Sequence, residues 1–236
     1  PGLVVSDLFL QQEHTYVCKK NYAPTVTVMS SSVEKYLKEM NFSDENTLQV
    51  TGNPAFDTLV NKEHICRAND FRKSLDLVGK TVITWICSPE TGMLGDKPFL
   101  GIKKVSEYLD QFCSQHPNYA FLIRAHPNNP PILMNSEFGL VAPFMPIDAC
   151  LHLSNIVMTE ASTVGMQAAL LHKPLITINE QNYTSYAPLG LSVDVPALEY
   201  AGNALLEAKV PDLSMLGYPK LGTATESVLD IVMQAN

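Results

Sequence analysis

The sequence is short of several things, and each shortage closes a route. No run of about 18 apolar residues occurs, so no transmembrane helix is predicted. No stretch reads as a secretory signal peptide. No G-x-G-x-x-G opens a helix and no G-x-x-x-x-G-K-[ST] is present, which leaves a dinucleotide cofactor and a P-loop ATPase unsupported. There is no G-x-S-x-G nucleophile elbow, no D-x-D to argue for a carboxylate-held Mg²⁺ or Mn²⁺, and no C-x-x-C. The five cysteines (Cys18, Cys66, Cys87, Cys113, Cys150) are odd in number and widely spaced, which reads as free or buried thiols in a reducing compartment rather than a disulfide framework. His14, His64, His116, His152 and His172 show no metal-ligand spacing. Positive charge is scarce: 16 Lys and Arg against 24 Asp and Glu give a net charge of −8. Adjacent basic pairs are few: Lys19-Lys20, Arg72-Lys73 and Lys103-Lys104. Neither a nucleic acid nor an anionic membrane surface is expected as a partner.

What is present is an ordinary globular composition, 46% apolar and 17% charged over 236 residues, enough for one large or two smaller cores. The chain starts at Pro1 without an initiator Met, so the expectation is a fragment whose upstream targeting information is invisible. Short apolar runs alternate with helical periodicity. Gly2–Ser6, Thr25–Met29 and Leu48–Thr51 read as strands. Between the last two, Ser30-Ser31-Ser32 offers an N-cap to a helix with Val33, Tyr36, Leu37 and Met40 on one face. Residues 56–78 look helical but polar, a connecting region rather than a core helix. A second series then begins: strand 81–87, loop 88–95, a helix marked by Ile102, Val105, Leu109 and Phe112, strand 119–123, an irregular 128–131, strand 139–142, helix 147–153, strand 156–158, a short helix, and strand 175–178. The tail from residue 187 is mixed, and 225–233 is a final helix. Trp85 falls inside an apolar strand and is expected in the core. This alternation predicts an α/β chain with a Rossmann-like parallel sheet covered by helices on both faces.

Residues 155–178, NIVMTEASTVGMQAALLHKPLITI, form a strand, tight turn, helix and strand. Such a turn sets a helix N-terminus at the carboxyl end of a strand, where unpaired N–H groups and the helix dipole attract phosphate. Ligands of open α/β sheets bind at those carboxyl ends. Four polar turns fall there: Gly52-Asn53-Pro54, Ser88-Pro89-Glu90-Thr91-Gly92, Arg124-Ala125-His126-Pro127-Asn128, and Thr159-Glu160-Ala161-Ser162-Thr163. Convergence is expected for the last three. Arg124 and His126 are suited to donate to phosphate oxygens, with His126 as general acid to a leaving phosphate. The structural alternatives are a salt bridge for Arg124 and a turn cap for His126. Gly52, Asn53, Ser88, Ser162, Thr163 and Gly165 are the further candidates for nucleotide or phosphate contact. Plain capping is the alternative for Ser162 and Thr163, and Gly165 suits close backbone approach. Glu160 and Glu180 suit sugar or ribose hydroxyls, Glu160 alternatively a helix N-cap. Glu90 is a candidate catalytic base or else a solvated loop acid.

LQVTGNPAFDTL (48–59), IRAHPNNP (123–130) and the 155–178 segment, in this order, resemble the GT-B group of nucleotide-sugar enzymes, which includes glycosyltransferases and the non-hydrolysing UDP-N-acetylglucosamine 2-epimerases. The resemblance covers roughly residues 25–182. It implies a GT-B type fold with a truncated N-terminal domain: residues 1–54 as the end of an acceptor-side domain, 55–79 as a linker, and 80–236 as the nucleotide-sugar-binding domain. Inside the motifs, Glu160, Ala161, Ser162-Thr163 and Met166-Gln167 replace the usual epimerase D-S-G-G-x-Q-E-E, and Ser88-Pro89-Glu90-Thr91 stands where a His-Arg-Arg-Glu-Asn run is usual. The Arg-x-His-Pro pattern at 124–127 and the Ser/Thr turn look more like bacterial wall-polymer glycerophosphotransferases and capsule glycosyltransferases. The resemblance therefore implies a transferase moving a sugar or related group from a nucleotide-activated donor to a glycan or lipid-linked acceptor. His126, Ser162 and Thr163 would hold the donor phosphate. The nucleotide-sugar is the substrate, no separate cofactor or metal is implied, and the expected place is the cytoplasm or the inner face of the membrane. Two alternatives stand beside it: the 2-epimerase, and a non-catalytic nucleotide-binding module.

Overall fold

The computed structural model describes residues 3–5, 25–39, 47–89, 93–94, 97–129, 136–142, 145–160, 162–180 and 186–234. By contact the chain divides into Pro1–Asn61 with Leu213–Asn236, and Lys62–Asp212. The division follows packing rather than sequence order, because the last 24 residues group with the first unit.

In the first unit, β1 (Leu3–Val5), β2 (Thr25–Val28) and β3 (Thr47–Val50) form a parallel sheet in that order. Helix α1 (Ser31–Glu39) is the crossover between β2 and β3 and buries Val33 and Leu37. Its cap is the one the serine run predicts: Val33 N donates to Ser30 Oγ at 3.3 Å. A 3₁₀ segment, Pro54–Val60, follows β3. Its Asp57 carboxylate accepts from Ala224 N (3.1 Å) and Thr225 N (2.7 Å), the first amides of the closing helix Ala224–Gln234. A carboxylate at a helix N-terminus satisfies two otherwise orphaned donors and complements the dipole. That bond is why the closing helix belongs here.

The second unit starts with α2 (Lys62–Ser74), which differs from the expected connecting region. Its polar composition conceals a narrow stripe of Ala68 and Phe71, continued by Leu75 just past its end, that packs into the core with Ala149, Cys150 and Leu153. In chain order come β4 (Thr81–Ile86), the ribbon β5 (Met93–Leu94) and β6 (Lys97–Pro98) inside what reads as a loop, α3 (Ile102–Gln115), β7 (Tyr119–Arg124), β8 (Gly139–Val141), α4 (Ile147–Leu153), β9 (Ile156–Thr159), α5 (Val164–Leu170), β10 (Leu175–Ile178), β11 (Val193–Val195) and α6 (Ala201–Leu206). The six long-range strands lie parallel in the order β11-β10-β9-β4-β7-β8. This is the doubly wound order: the chain builds outward from β4 through β7 to β8, then returns to the other side of β4 and continues through β9.

Strand residues alternate between two cores, as pleating requires. Ile83, Trp85, Phe121 and Ile123 face α3 and α6. Val82 and Leu122 face α2 and α4. Helices thus cover both faces, and the fully buried strand positions explain the unbroken apolar runs. Trp85 is wholly buried. Cys87, Cys113 and Cys150 are buried thiols and Cys66 is exposed. Among the described residues no helix is long and apolar enough to cross a membrane.

Candidate functional site at the carboxyl edge of the six-stranded sheet

Register fixes which turns meet. Ile86 at the end of β4 pairs with Arg124 of β7 on one side and Thr159 of β9 on the other. The loops leaving these three strands therefore start side by side. β4 and β9 are also the strands between which the winding reverses, the place where such sheets open a crevice.

Hydrogen bonds lace the loops together. Cys87 N donates to Arg124 O (3.0 Å) and Asn129 Nδ2 to Ser88 O (3.2 Å), which ties the β7 loop to the β4 loop. Thr159 Oγ1 donates to Ile86 O (3.2 Å). Leu100 N donates to both carboxylate oxygens of Glu160, at 3.0 and 3.2 Å. Tyr186 Oη donates to Ser162 O (2.7 Å), which fixes the chain beyond β10 to the β9 turn. Ser88, Arg124, His126, Glu160, Ser162, Thr163, Gly165 and Glu180 thus all stand at one sheet edge. Glu90 lies outside the described residues.

The individual roles differ in detail from expectation. The amides of α5 are not exposed anion donors: Val164 N is taken by Ser162 Oγ (3.3 Å), Gly165 N by Ser162 O (3.0 Å), and Met166 N and Gln167 N by Thr163 O (3.1 and 3.4 Å). The tight turn folds its own acceptors onto the first turn of a seven-residue helix. Ser162 is therefore a capping residue in this structure. Arg124 makes no salt bridge among the described residues; its Nε donates to Met145 O (2.8 Å) and its Nη1 to Ala125 O. Gly165 does permit a close approach, by an aromatic ring: a Cβ there would stand 2.7 Å from Tyr186. His126 is half-buried, and Asn128 N donates to its Nδ1 (3.2 Å), so in the neutral ring Nε2 carries the proton. Thr163 is exposed.

Glu160 is 8% exposed. Burial pushes its carboxyl up to about 7; the Leu100 amide and Lys104 pull back toward the charged form, while Glu180 pushes further up. Lys104 Nζ stands 3.9 Å from Glu180 Oε1. Sequence reasoning missed Lys104, Leu100 and Tyr186. The first is one lysine of an adjacent pair, and the other two sit in apolar or mixed segments that carry no motif.

Gly52 and Asn53 belong to the first unit. Gly52 adopts φ 83°, a left-handed conformation that favours glycine. Asn53 caps the 3₁₀ segment, accepting from Ala55 N (2.9 Å), and its own N donates to Tyr218 Oη (2.9 Å). At the opposite, amino-terminal edge of the six-stranded sheet lies a cavity of about 460 Å³ lined by Leu75, Leu77, Lys80, Tyr119 and Phe138. None of the candidate residues lines it.

No protein-family model and no curated protein matches the chain. Solved structures do. The wall teichoic acid polymerase TagF is 14% identical with a TM-score of 0.59, over 95% of this chain and 61% of that one. The UDP-GlcNAc 2-epimerase of Methanocaldococcus jannaschii, solved with UDP-GlcNAc and UDP, is 15% identical with a TM-score of 0.63, over 90% and 61%. The Neisseria meningitidis UDP-GlcNAc 2-epimerase bound to UDP-GlcNAc is 16% identical, also at 0.63, over 90% and 62%. The chain shares the fold of the matching parts of these proteins. The chain spans about three fifths of the length of these proteins.

Proposed function

We propose that the chain is the donor-handling part of a transferase that moves a sugar or related group from a nucleotide-activated donor to a glycan or lipid-linked acceptor in surface polysaccharide synthesis. One observation carries this reading. The loops after β4, β7, β9 and β10 are bonded in series at the sheet's winding reversal, with His126 and Glu160 on the two loops that flank the one leaving β4. A departing nucleoside diphosphate needs positive charge and a proton donor where its own charge develops. His126 Nε2–H supplies a hydrogen bond to a diphosphate oxygen, its Nδ1 being taken by the Asn128 amide. Arg124, pinned by two carbonyls, supplies a fixed charge rather than a mobile bidentate clamp. Glu180 supplies an acceptor for sugar or ribose hydroxyls, while both oxygens of Glu160 already accept from Leu100 N. The fold likeness to TagF supports the reading, as do the Arg-x-His-Pro and Ser/Thr motifs.

The test is thermal stability with UDP, CMP, CDP, GDP and their sugars. Binding at 100 times Kd adds about 2.7 kcal/mol to the stability of the native state, so one nucleotide should raise the melting temperature clearly. His126→Ala should keep the fold and abolish turnover of that donor. If no nucleotide moves the transition, the reading fails.

A second reading, 2-epimerisation of UDP-N-acetylhexosamine, is favoured by the higher TM-scores of the two epimerases. Glu160 and Met166-Gln167, which depart from the epimerase pattern, weigh against it. Incubation with UDP-GlcNAc and sugar analysis decides between them. A third, a nucleotide-binding module without turnover, draws on the 61% span of TagF. It predicts donor binding by this chain with turnover only in a longer one.

A further inference from the structure

We infer that Glu160 is a positioning residue: its carboxylate fastens Leu100 to the end of β9, and so holds the entry of α3 in place beside the nucleotide donor. This rests on the donor site proposed above. Leu100 and Glu160 are 60 residues apart in sequence, both are buried to 8% exposure, and both carboxylate oxygens point at the one amide. Leu100 precedes Gly101, the N-cap of α3, whose side chain offers that helix no cap bond. The Glu160 carboxylate therefore secures the entry of α3 from outside. The residue before it, Thr159, binds the end of β4 through Ile86 O. The end of β9 thus holds the end of β4 at Ile86 and the entry of α3 at Leu100.

A charged acceptor makes a shorter and stronger hydrogen bond than a neutral one. The strength of the fastening therefore follows the ionisation of Glu160. The charged groups facing it are Lys104 on α3 and Glu180 beyond β10, and burial brings its titration to about 7. The Leu100 bond should be firmer at pH 8.5 than at pH 5.5.

Hydrogen exchange of the Leu100 amide in the full chain reads the fastening directly, corrected for intrinsic rate at each pH. In the wild type, protection should rise with pH across 7. Glu160→Gln keeps a neutral acceptor, so protection should persist and lose its pH dependence. Glu160→Ala should raise Leu100 exchange at least tenfold and weaken binding of whichever nucleotide the wild type binds by about tenfold, with Glu160→Gln restoring most of it. Unchanged Leu100 exchange in Glu160→Ala overturns the inference, and so does loosened exchange with wild-type nucleotide affinity. Weakened affinity with unchanged exchange also overturns it, since it makes Glu160 a direct ligand contact. A wild type that binds no nucleotide defeats the donor site itself; exchange at Leu100 then still reports whether the fastening exists.

Discussion

Replacing Glu160 by glutamine should stabilise the protein at alkaline pH and leave it unchanged at acid pH. The side chain is 8% exposed and its carboxyl rises from an ordinary 4.5 to about 7, chiefly through burial. The folded state therefore holds a proton that the unfolded chain has already released between those values. For a raised carboxyl the native state's advantage is complete below 4.5 and is lost as pH climbs through about 7. At about 1.4 kcal/mol per pH unit, ionising Glu160 costs roughly 3 kcal/mol by pH 8.5. Glutamine fills the same space, accepts the Leu100 N–H and never ionises. At about 2–4 °C per kcal/mol for a chain of this size, the variant should melt several degrees above wild type at pH 8.5. The two should coincide near pH 4.5. Melting curves at matched ionic strength across that range are the assay. Parallel profiles, with no gap opening above pH 6, would refute the reasoning.

Three further outcomes follow from local contacts. Asp57→Ala removes the cap on Ala224 and Thr225 and should cost about 0.5–2 kcal/mol in urea unfolding at pH 7. The Asp57 carboxyl lies below its ordinary value: burial pushes it up, and the Thr225, Ala224 and Gly222 hydrogen bonds more than offset that. Its contribution should therefore vanish as pH falls through the carboxylate range. Gly165→Ala places a methyl against the Tyr186 ring and should cost about 1–3 kcal/mol by overpacking, read from the same unfolding curves. Iodoacetamide at pH 8 should label Cys66 and spare Cys113 and Cys150, whose thiols burial pushes up to about 12; mass mapping checks this.

The strands and long helices were legible because their signals are local. The serine cap of α1, the α3 stripe of Ile102, Val105, Leu109 and Phe112, and the apolar runs of β4, β9 and β10 each decide an element within a few residues. The edge strand β11 escaped notice because three residues with a half-exposed Val193 carry almost no pattern. Helix α2 was undervalued because a single fully buried residue, Ala68, anchors it. For the candidate site, the sequence put the named turns after β4, β7 and β9 at the carboxyl ends of those strands, where the structure also has them. It could not reveal that Arg124 spends its donors on Met145 and Ala125 carbonyls, or that Ser162 and Thr163 absorb the first amides of α5. Those are competitions between nearby acceptors that only backbone geometry decides. The Glu160–Leu100 and Tyr186–Ser162 bonds join distant segments and leave no periodic trace.

The most direct measurement is the hydrogen-exchange footprint of a bound nucleotide on the full chain. Protection should appear at the amides of His126, Asn128 and Asn129 and of 162–165, on the loops that leave β7 and β9. Protection instead around Lys80, Tyr119 and Phe138, at the opposite edge of the sheet, or no protection with any nucleotide, would contradict the account.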